Sequence, residues 1–92
     1  MRRYVRLGIN IDHVATLRNA RGENYPEVTE AAKIVEKSGA DLVTVHLRED
    51  RRHINENDLG DILNVINIPV NLEIAANVEM SKLAIKYKPK CV

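Results

Sequence analysis

Residues 41–47 read "DLVTVHL", a β-branched run that is typical of a buried strand. Two further stretches have the same character, "VRLGINID" at 5–12 and "IPVNLEIA" at 68–75. In each stretch alternate positions are aliphatic, while the positions between them become polar toward the carboxyl end. Because side chains alternate across a strand, we predict three strands that each have one aliphatic face and one face that turns polar.

Helical periodicity follows the first predicted strand. Residues 26–39 have apolar side chains at helical spacing. Pro26 suits the first position of a helix, and Gly39 suits the residue just past its end. The sequence therefore predicts a helix here, joined to the first strand by a loop that contains His13 and the stretch "NARGEN".

The remaining chain repeats this alternation. Residues 55–66 predict a second helix, whose start Gly60 is expected to delay. A third helix is predicted over about 78–87, capped by Asn77. The stretch "KPKCV" at 88–92 predicts the entry to a fourth strand. The predicted order β-α-β-α-β-α-(β) indicates a parallel sheet with right-handed crossovers.

The strand faces favour one α/β architecture over another. In a doubly wound sheet helices cover both faces, and the strands are continuous apolar runs. Here one face of each strand is polar at its end, so we predict a (β/α)8 TIM barrel with helices outside and a polar mouth. A whole barrel has about 250 residues. Residues 1–92 are therefore expected to be an incomplete single domain, the first three βα units and the start of the fourth strand, inactive alone.

Composition excludes several classes of function. The contents of 45% hydrophobic and 29% charged residues are ordinary for a soluble globular protein. A formal net charge of +1 argues against nucleic-acid binding by bulk charge. The single cysteine, Cys91, excludes an internal disulfide and fits a reducing cytoplasm. No apolar stretch approaches the roughly 18 residues of a membrane span.

Polar side chains of the three strands should meet at the mouth of the barrel, where such enzymes have their active sites. His46 is the best placed for proton transfer near neutral pH. Glu73 lies between Leu72 and Ile74, so we expect it to be shielded from water. A structural role, as a hydrogen-bonded histidine or a salt-bridged carboxylate, stays open for both. The predicted set is Asn10, Asp12, His13, His46, Arg48, Asn71 and Glu73.

Arginines on two predicted loops beside this mouth suggest an anionic ligand, because the guanidinium group binds phosphate or carboxylate by paired donors. Taken singly, each arginine is more often a solvated surface charge. A divalent metal bound by Asp12, His13, His46 and Glu73 is the alternative. The arginines would repel such a cation, and no compact histidine motif supports it. The arginines are Arg18, Arg21, Arg48, Arg51 and Arg52.

Three long motifs carry a resemblance to a known family. They are "GINIDHVATLRNARG" at 8–22, "VTVHLREDRRHI" at 43–54 and "NLEIA" at 71–75. In sequence and spacing they closely resemble the pyridoxine 5'-phosphate synthases of the deoxyxylulose-dependent vitamin B6 pathway. The resemblance runs from about residue 7 to the end of the chain.

The resemblance implies both a fold and a reaction. Family members are TIM barrels that condense 3-amino-2-oxopropyl phosphate with 1-deoxy-D-xylulose 5-phosphate. The products are pyridoxine 5'-phosphate, phosphate and water. The family requires no metal or organic cofactor, and its members are cytoplasmic bacterial enzymes that typically form octamers.

The resemblance also implies roles for individual residues. His46 and Glu73 would be the acid/base catalysts, and Asn10 and Arg21 would bind the amino-ketone phosphate. The ligands of the deoxyxylulose phosphate would be Asp12, His13, Arg48 and His53. A different class of function stays open for the chain alone. It could be a non-catalytic phosphate-binding or assembly module that completes a sheet with other chains.

Overall fold

The computed structural model describes residues 5–92, and residues 1–4 of the predicted domain lie outside the described residues. Helices pack on the aliphatic face of a parallel sheet. Within residues 5–92 the elements are β1 (Gly8–Asn10), α1 (Asp12–Arg21), α2 (Val28–Lys37), β2 (Leu42–His46), α3 (Glu56–Val65), β3 (Val70–Glu73) and α4 (Val78–Tyr87).

The sheet is built in the order of the chain. The strands lie in the order β1-β2-β3, and both pairs are parallel. On the far side of β3, Cys91 forms a parallel bridge with Asn71, and Leu72 N donates to the carbonyl of Cys91 at 2.9 Å. Pairing therefore begins where the sequence predicts a fourth strand.

The aliphatic face of the sheet forms the core, as the alternation predicts. Val43, Val45 and Leu72 have no exposed surface. Burying a side chain of this kind contributes about 1.5–3 kcal/mol. Leu7 is the exception, because it precedes β1 and is 56% exposed. The fully buried helix residues that complete this core are Ala15, Ala32, Leu59, Ile62 and Met80.

Helix α1 was not predicted, so the expected loop between the first strand and the helix over 26–39 is wrong. The observed order is β-α-α-β-α-β-α. The apolar pattern of α1 is weak, because Ala15 is its only fully buried apolar residue and Leu17 is 55% exposed. Asp12 in its first turn and Arg21 in its last suit the helix dipole. Gly22, with φ of 68°, ends the helix in the left-handed conformation.

The first of the predicted helices differs at its start. Helix α2 begins at Val28 after Glu27, so the prediction that Pro26 occupies the first helical position is wrong. Gly39 follows the end of the helix with φ of 92°, as predicted. A left-handed φ of this kind favours glycine.

The other two helices begin at asparagine caps. Asn55 and Asp58 form a reciprocal capping box, in which each side chain accepts from the backbone N–H of the other. This cap fixes the start of α3 at Glu56, so the expected delay by Gly60 is wrong. Asn77 caps α4, as predicted.

Helix length bears on membrane insertion. Each helix has 10 residues, whereas a bilayer span requires about 20. Within residues 5–92 no helix has the length and apolar character to cross a membrane.

Candidate active site

His46 and Glu73 are neighbours at the carboxyl ends of β2 and β3. The parallel register pairs these two residues directly, and adjacent parallel strands lie about 4.8 Å apart. Both side chains leave the face opposite Val45 and Leu72, because side chains alternate along a strand. The sequence-based expectation that they share one face is confirmed.

The surroundings of the two side chains differ. His46 is half-buried and Glu73 is exposed, so the expectation that Glu73 is shielded from water is wrong. Alternation shows which face a side chain occupies but not whether anything covers that face. Within residues 5–92 the Glu73 carboxylate forms no ion pair.

Asp12 is the buried centre of the site, with 6% of its surface exposed. Its Oδ1 accepts from the backbone N–H of His46 at 2.8 Å. Its Oδ2 accepts from Asn10 Nδ2 at 2.9 Å, and Asn10 Oδ1 accepts in return from Asp12 N at 2.8 Å. The structure therefore brings Asn10, Asp12 and His46 together, as predicted.

The role of Asp12 follows from the way β1 ends. Ile11 N donates to the carbonyl of Thr44 at 3.2 Å, so a regular parallel ladder would pair the N–H of His46 with the carbonyl of Ile11. That carbonyl instead accepts from Val14 N at 3.1 Å, at the start of α1. The Asp12 carboxylate takes its place, and the N–H of His46 keeps an acceptor.

Three histidine rings lie near one another at this site, and ligand atoms of two of them, His46 and His53, lie within 4.8 Å of the Asp12 carboxylate. The ring centroids of His46 and His53 are 6.1 Å apart, and those of His13 and His53 are 6.2 Å apart. His13 is exposed, with Nδ1 at 3.3 Å from Thr16 Oγ1. His53 is 7% exposed and is the only buried member of the three. His13 extends from the first turn of α1 rather than from a loop.

His53 has a fixed tautomer in its neutral form. Its Nδ1 accepts from the backbone N–H of Ile54 at 2.8 Å, so Nε2 carries the ring proton. Burial lowers the pKa of His53 below its ordinary value. The Asp12 carboxylate acts in the opposite direction on this pKa, while His46, Arg48 and His13 lower it further.

The metal alternative was predicted with Asp12, His13, His46 and Glu73 as ligands. Among the described residues the cluster with metal-ligand spacing instead contains Asp12, His46 and His53, so the tautomer of His53 bears on it. Ligand atoms of Asp12, His46 and His53 lie within 4.8 Å of one another, which is close enough to share a cation. A metal needs a free lone pair on a ring nitrogen. Nδ1 of His53 already accepts from Ile54, and Nε2 is protonated. The geometry therefore suits an oxygen-bearing ligand that accepts from Nε2 better than it suits a metal ion.

Arg48 lies beside His46 at the carboxyl end of β2. It lines a cavity of about 310 Å³ together with His46 and Asp50. Asp50 Oδ1 accepts from Arg48 Nε at 3.1 Å, and Oδ2 accepts from Nη2 at 3.3 Å. This contact raises the pKa of Arg48 and lowers that of Asp50. The Arg48 side chain remains 38% exposed, so an anion can reach it.

Arg18 and Arg51 have structural roles instead. Arg18 forms a two-bond ion pair with Asp58, at 2.6 and 2.9 Å. Arg51 pairs in the same way with Glu56, at 2.8 and 3.1 Å, and donates to the carbonyl of Glu49 at 2.7 Å. Glu56 raises the pKa of Arg51. The sequence-based prediction therefore counted too many arginines as free to bind an anion.

Arg21 lies apart from the cluster. It ends α1, nine residues after Asp12, which at 1.5 Å per residue is about 13 Å along the axis. Its guanidinium donates to Glu23 at 3.2 Å and lies 5.5 Å from the centre of the Tyr25 ring. Among the described residues no contact joins Arg21 to Asn10, its predicted partner in binding the amino ketone.

Asn19 was missed by the sequence-based reasoning. Its side chain donates to the backbone carbonyls of Arg52 and His53. These residues are 33 and 34 positions away along the chain. A polar residue in a segment expected to be a loop gave no signal for this contact, which depends on α1.

Comparison with known proteins agrees with the resemblance. The family model described as "Pyridoxal phosphate biosynthesis protein PdxJ" matches residues 7–92. A pyridoxine 5'-phosphate synthase of Ehrlichia chaffeensis is 58% identical over 88 residues, which are 96% of this chain and 37% of that protein. The pyridoxine 5'-phosphate synthase of Ruegeria pomeroyi is 54% identical over 89 residues, 97% of this chain and 36% of that protein.

The chain thus spans little more than a third of the length of these relatives. The match nevertheless includes all of the motifs at 8–22, 43–54 and 71–75. On this ground the chain belongs to the PdxJ family of pyridoxal phosphate biosynthesis proteins.

Proposed function

We propose that these residues are the N-terminal part of a pyridoxine 5'-phosphate synthase. The enzyme would condense 3-amino-2-oxopropyl phosphate with 1-deoxy-D-xylulose 5-phosphate, in a ring-forming transfer that releases phosphate and water. Family membership and the names of the relatives support this activity. The observation that carries the proposal is the direct register pairing of His46 with Glu73 beside the buried Asp12.

We propose a TIM barrel as the complete fold. Three features support it: strands that follow one another in chain order, parallel pairing throughout, and helices on the aliphatic face. A doubly wound sheet reverses its strand order at a switch point, and no reversal occurs within residues 5–92. The start of pairing at Cys91, beyond β3, continues the same order.

His46 and Glu73 are the proposed acid/base catalysts. The reaction includes Schiff-base formation, dehydration and ring closure, each of which moves protons. A histidine changes charge near neutral pH, and a carboxylate neighbour can exchange a proton with the same bound substrate. The hydrogen bond from the His46 N–H to Asp12 holds the backbone of His46 in place, so the imidazole extends from a defined position.

The proposed ligands of the deoxyxylulose phosphate are Asp12, His13, Arg48 and His53. Arg48 supplies positive charge at the cavity, and neutral His53 supplies the Nε2–H donor. The proposed ligands of the amino-ketone phosphate are Asn10 and Arg21. Arg21 must leave Glu23 and Tyr25 to reach a substrate beside Asn10.

We further propose that the 92-residue chain does not turn over its substrates alone. Its polar sheet face is half-buried or exposed at Thr44, His46, Asn71 and Glu73, whereas catalysis of this kind requires a site that excludes water. The complete enzyme is proposed to be cytoplasmic, to form an octamer and to need neither a metal nor an organic cofactor.

The experiment compares a protein of full family length that carries these residues with the 92-residue chain. Pyridoxine 5'-phosphate formation is measured with both substrates. We expect turnover in the long protein alone, and its loss in Glu73→Gln but not in Glu30→Gln, a control on the exposed surface of α2. Unchanged turnover in Glu73→Gln would contradict the assigned role, and turnover by the short chain would contradict its inactivity.

A further inference from the structure

Asn19 is held by hydrogen bonds at both ends of its side-chain amide. Its Oδ1 accepts from Arg18 Nε at 3.1 Å and from Arg18 Nη2 at 3.0 Å. Its Nδ2 donates to the carbonyls of Arg52 at 3.2 Å and His53 at 3.1 Å. Donors lie on one side of the amide and acceptors on the other, so its orientation is fixed by its neighbours.

The neighbour that supports Asn19 is itself held by an ion pair. Arg18 is 14% exposed and its partner Asp58 is 11% exposed. Both carboxylate oxygens of Asp58 accept from Arg18, and Oδ2 also accepts from the N–H of Asn55 at 3.0 Å. A two-bond guanidinium–carboxylate pair fixes direction as well as distance. Asn19 therefore extends from a largely buried, ion-paired junction between α1 and the start of α3.

The contacts of Asn19 and of the His53 ring meet on one peptide group. The His53 carbonyl that accepts from Asn19 and the Ile54 N–H that donates to His53 Nδ1 belong to the same peptide plane. If that plane rotates, the Ile54 N–H moves away from the ring. Hydrogen bonds in series also strengthen one another. Asn19 therefore acts on the imidazole through a single planar unit.

We propose that Asn19 is a positioning residue for His53. It orients the His53–Ile54 peptide, and this peptide fixes the imidazole with Nδ1 as acceptor and Nε2 as donor beside Asp12 and His46. The structural consequence can be tested in the chain itself. The consequence for substrate binding rests on the proposed function.

The first test is ¹⁵N NMR of the histidine rings in the 92-residue chain. In the unchanged protein we expect His53 to show a single neutral tautomer, with the proton on Nε2. Asn19→Ala should give a mixture of tautomers or an averaged signal. Asn64→Ala is the matched control, because Asn64 is an exposed asparagine on α3, and it should leave His53 unchanged. A folded Asn19→Ala protein with an unchanged His53 tautomer would overturn the proposal.

A second variant keeps the test decisive if Asn19→Ala does not fold. Asn19→Asp retains the shape of the side chain but replaces the two N–H donors with an acceptor that faces two carbonyls. It should lose the single His53 tautomer as well. If His53 keeps one tautomer in this variant, the role assigned to the Asn19 donors is wrong.

The second test measures kinetics in a protein of full family length. Loss of the fixed Nε2 donor should raise KM for the deoxyxylulose phosphate about tenfold in Asn19→Ala. A purely structural role would reduce the active fraction and hence the apparent kcat, without changing KM. An altered tautomer with an unchanged KM would leave the positioning role intact but contradict the substrate role of His53. An unchanged tautomer would contradict the positioning role itself.

Discussion

The two faces of the sheet differ sharply in burial. On one face Val45 and Leu72 have no exposed surface. On the other face the next residues along the same strands, His46 and Glu73, are half-buried and exposed. Since the side-chain period of a strand is two, each short strand can contribute to stability and to chemistry at adjacent positions. The comparison predicts that substitutions on the two faces have separable effects.

The largest expected effect is the loss of catalysis in His46→Ala. In a protein of full family length, removing an acid/base group should lower kcat by about 10²–10⁴-fold. Stability should change by about 1 kcal/mol or less, because alanine keeps the N–H that donates to Asp12. Steady-state kinetics and urea unfolding measure the two quantities. A normal kcat would remove the role assigned to His46.

Leu72→Ala should have the opposite profile. Deleting this fully buried side chain should cost about 2–5 kcal/mol of unfolding free energy. The control is Asn71→Ala, one residue earlier on the polar face, which loses a contact of 3.5 Å with Thr44 and should cost about 1 kcal/mol or less. Urea unfolding of the chain measures both. Equal losses of unfolding free energy in the two variants would show that the polar face contributes as much to stability as the aliphatic face.

Arg48→Ala should affect substrate binding and leave stability unchanged. We expect KM for the deoxyxylulose phosphate to rise about tenfold through loss of a charge-assisted contact. The urea midpoint should not move, because the ion pair with Asp50 is exposed. Arg52→Ala is the control, since Arg52 also contacts Asp50, at 3.5 Å. A comparable rise in KM for Arg52→Ala would show that the loss of a positive charge, rather than a specific contact of Arg48, weakens substrate binding.

The smallest expected effect is a pH dependence of stability caused by His53. Burial lowers its pKa in the folded state below the ordinary value of 6.5, so the unfolded chain binds the proton more readily. The contribution of neutral His53 is present above about pH 6.5 and is lost as the pH falls toward the folded-state pKa.

Urea unfolding between about pH 5 and 8 measures this dependence. In His53→Gln the free energy of unfolding should decrease less steeply as the pH is lowered. His13→Gln, at an exposed histidine, should leave the decrease in place. A His53→Gln protein with the unchanged slope would show that other groups determine the acid sensitivity.

The faces of the strands were predictable because they depend on local alternation. The core positions Val43, Val45, Val70 and Leu72 and the shared face of His46 and Glu73 follow from that pattern alone. Helix α1 was not predictable in the same way, because most of its surface is polar and Ala15 alone carries its fully buried apolar contact. Its ends are marked by Asp12 and Gly22, which are weak signals without an apolar stripe.

Only the tertiary structure shows which arginines form structural ion pairs and which are free to bind an anion. Arg18 and its partner Asp58 are 40 residues apart, and no sequence window links them. The exposure of Glu73 also depends on what covers the sheet rather than on its own neighbours. Sequence reasoning therefore found most of the cluster around Asp12 but could not separate residues that hold the site together from residues that are free to bind.

Asp12 has a consequence for any attempt to redesign this protein. One carboxylate both supplies the missing acceptor for β2 and allows the chain to leave the sheet early and enter α1. An engineer who changes Asp12 to alter ligand preference would also change the trajectory of the backbone. Ligand specificity is therefore easier to change at Arg48 or His13, whose side chains have no comparable structural role.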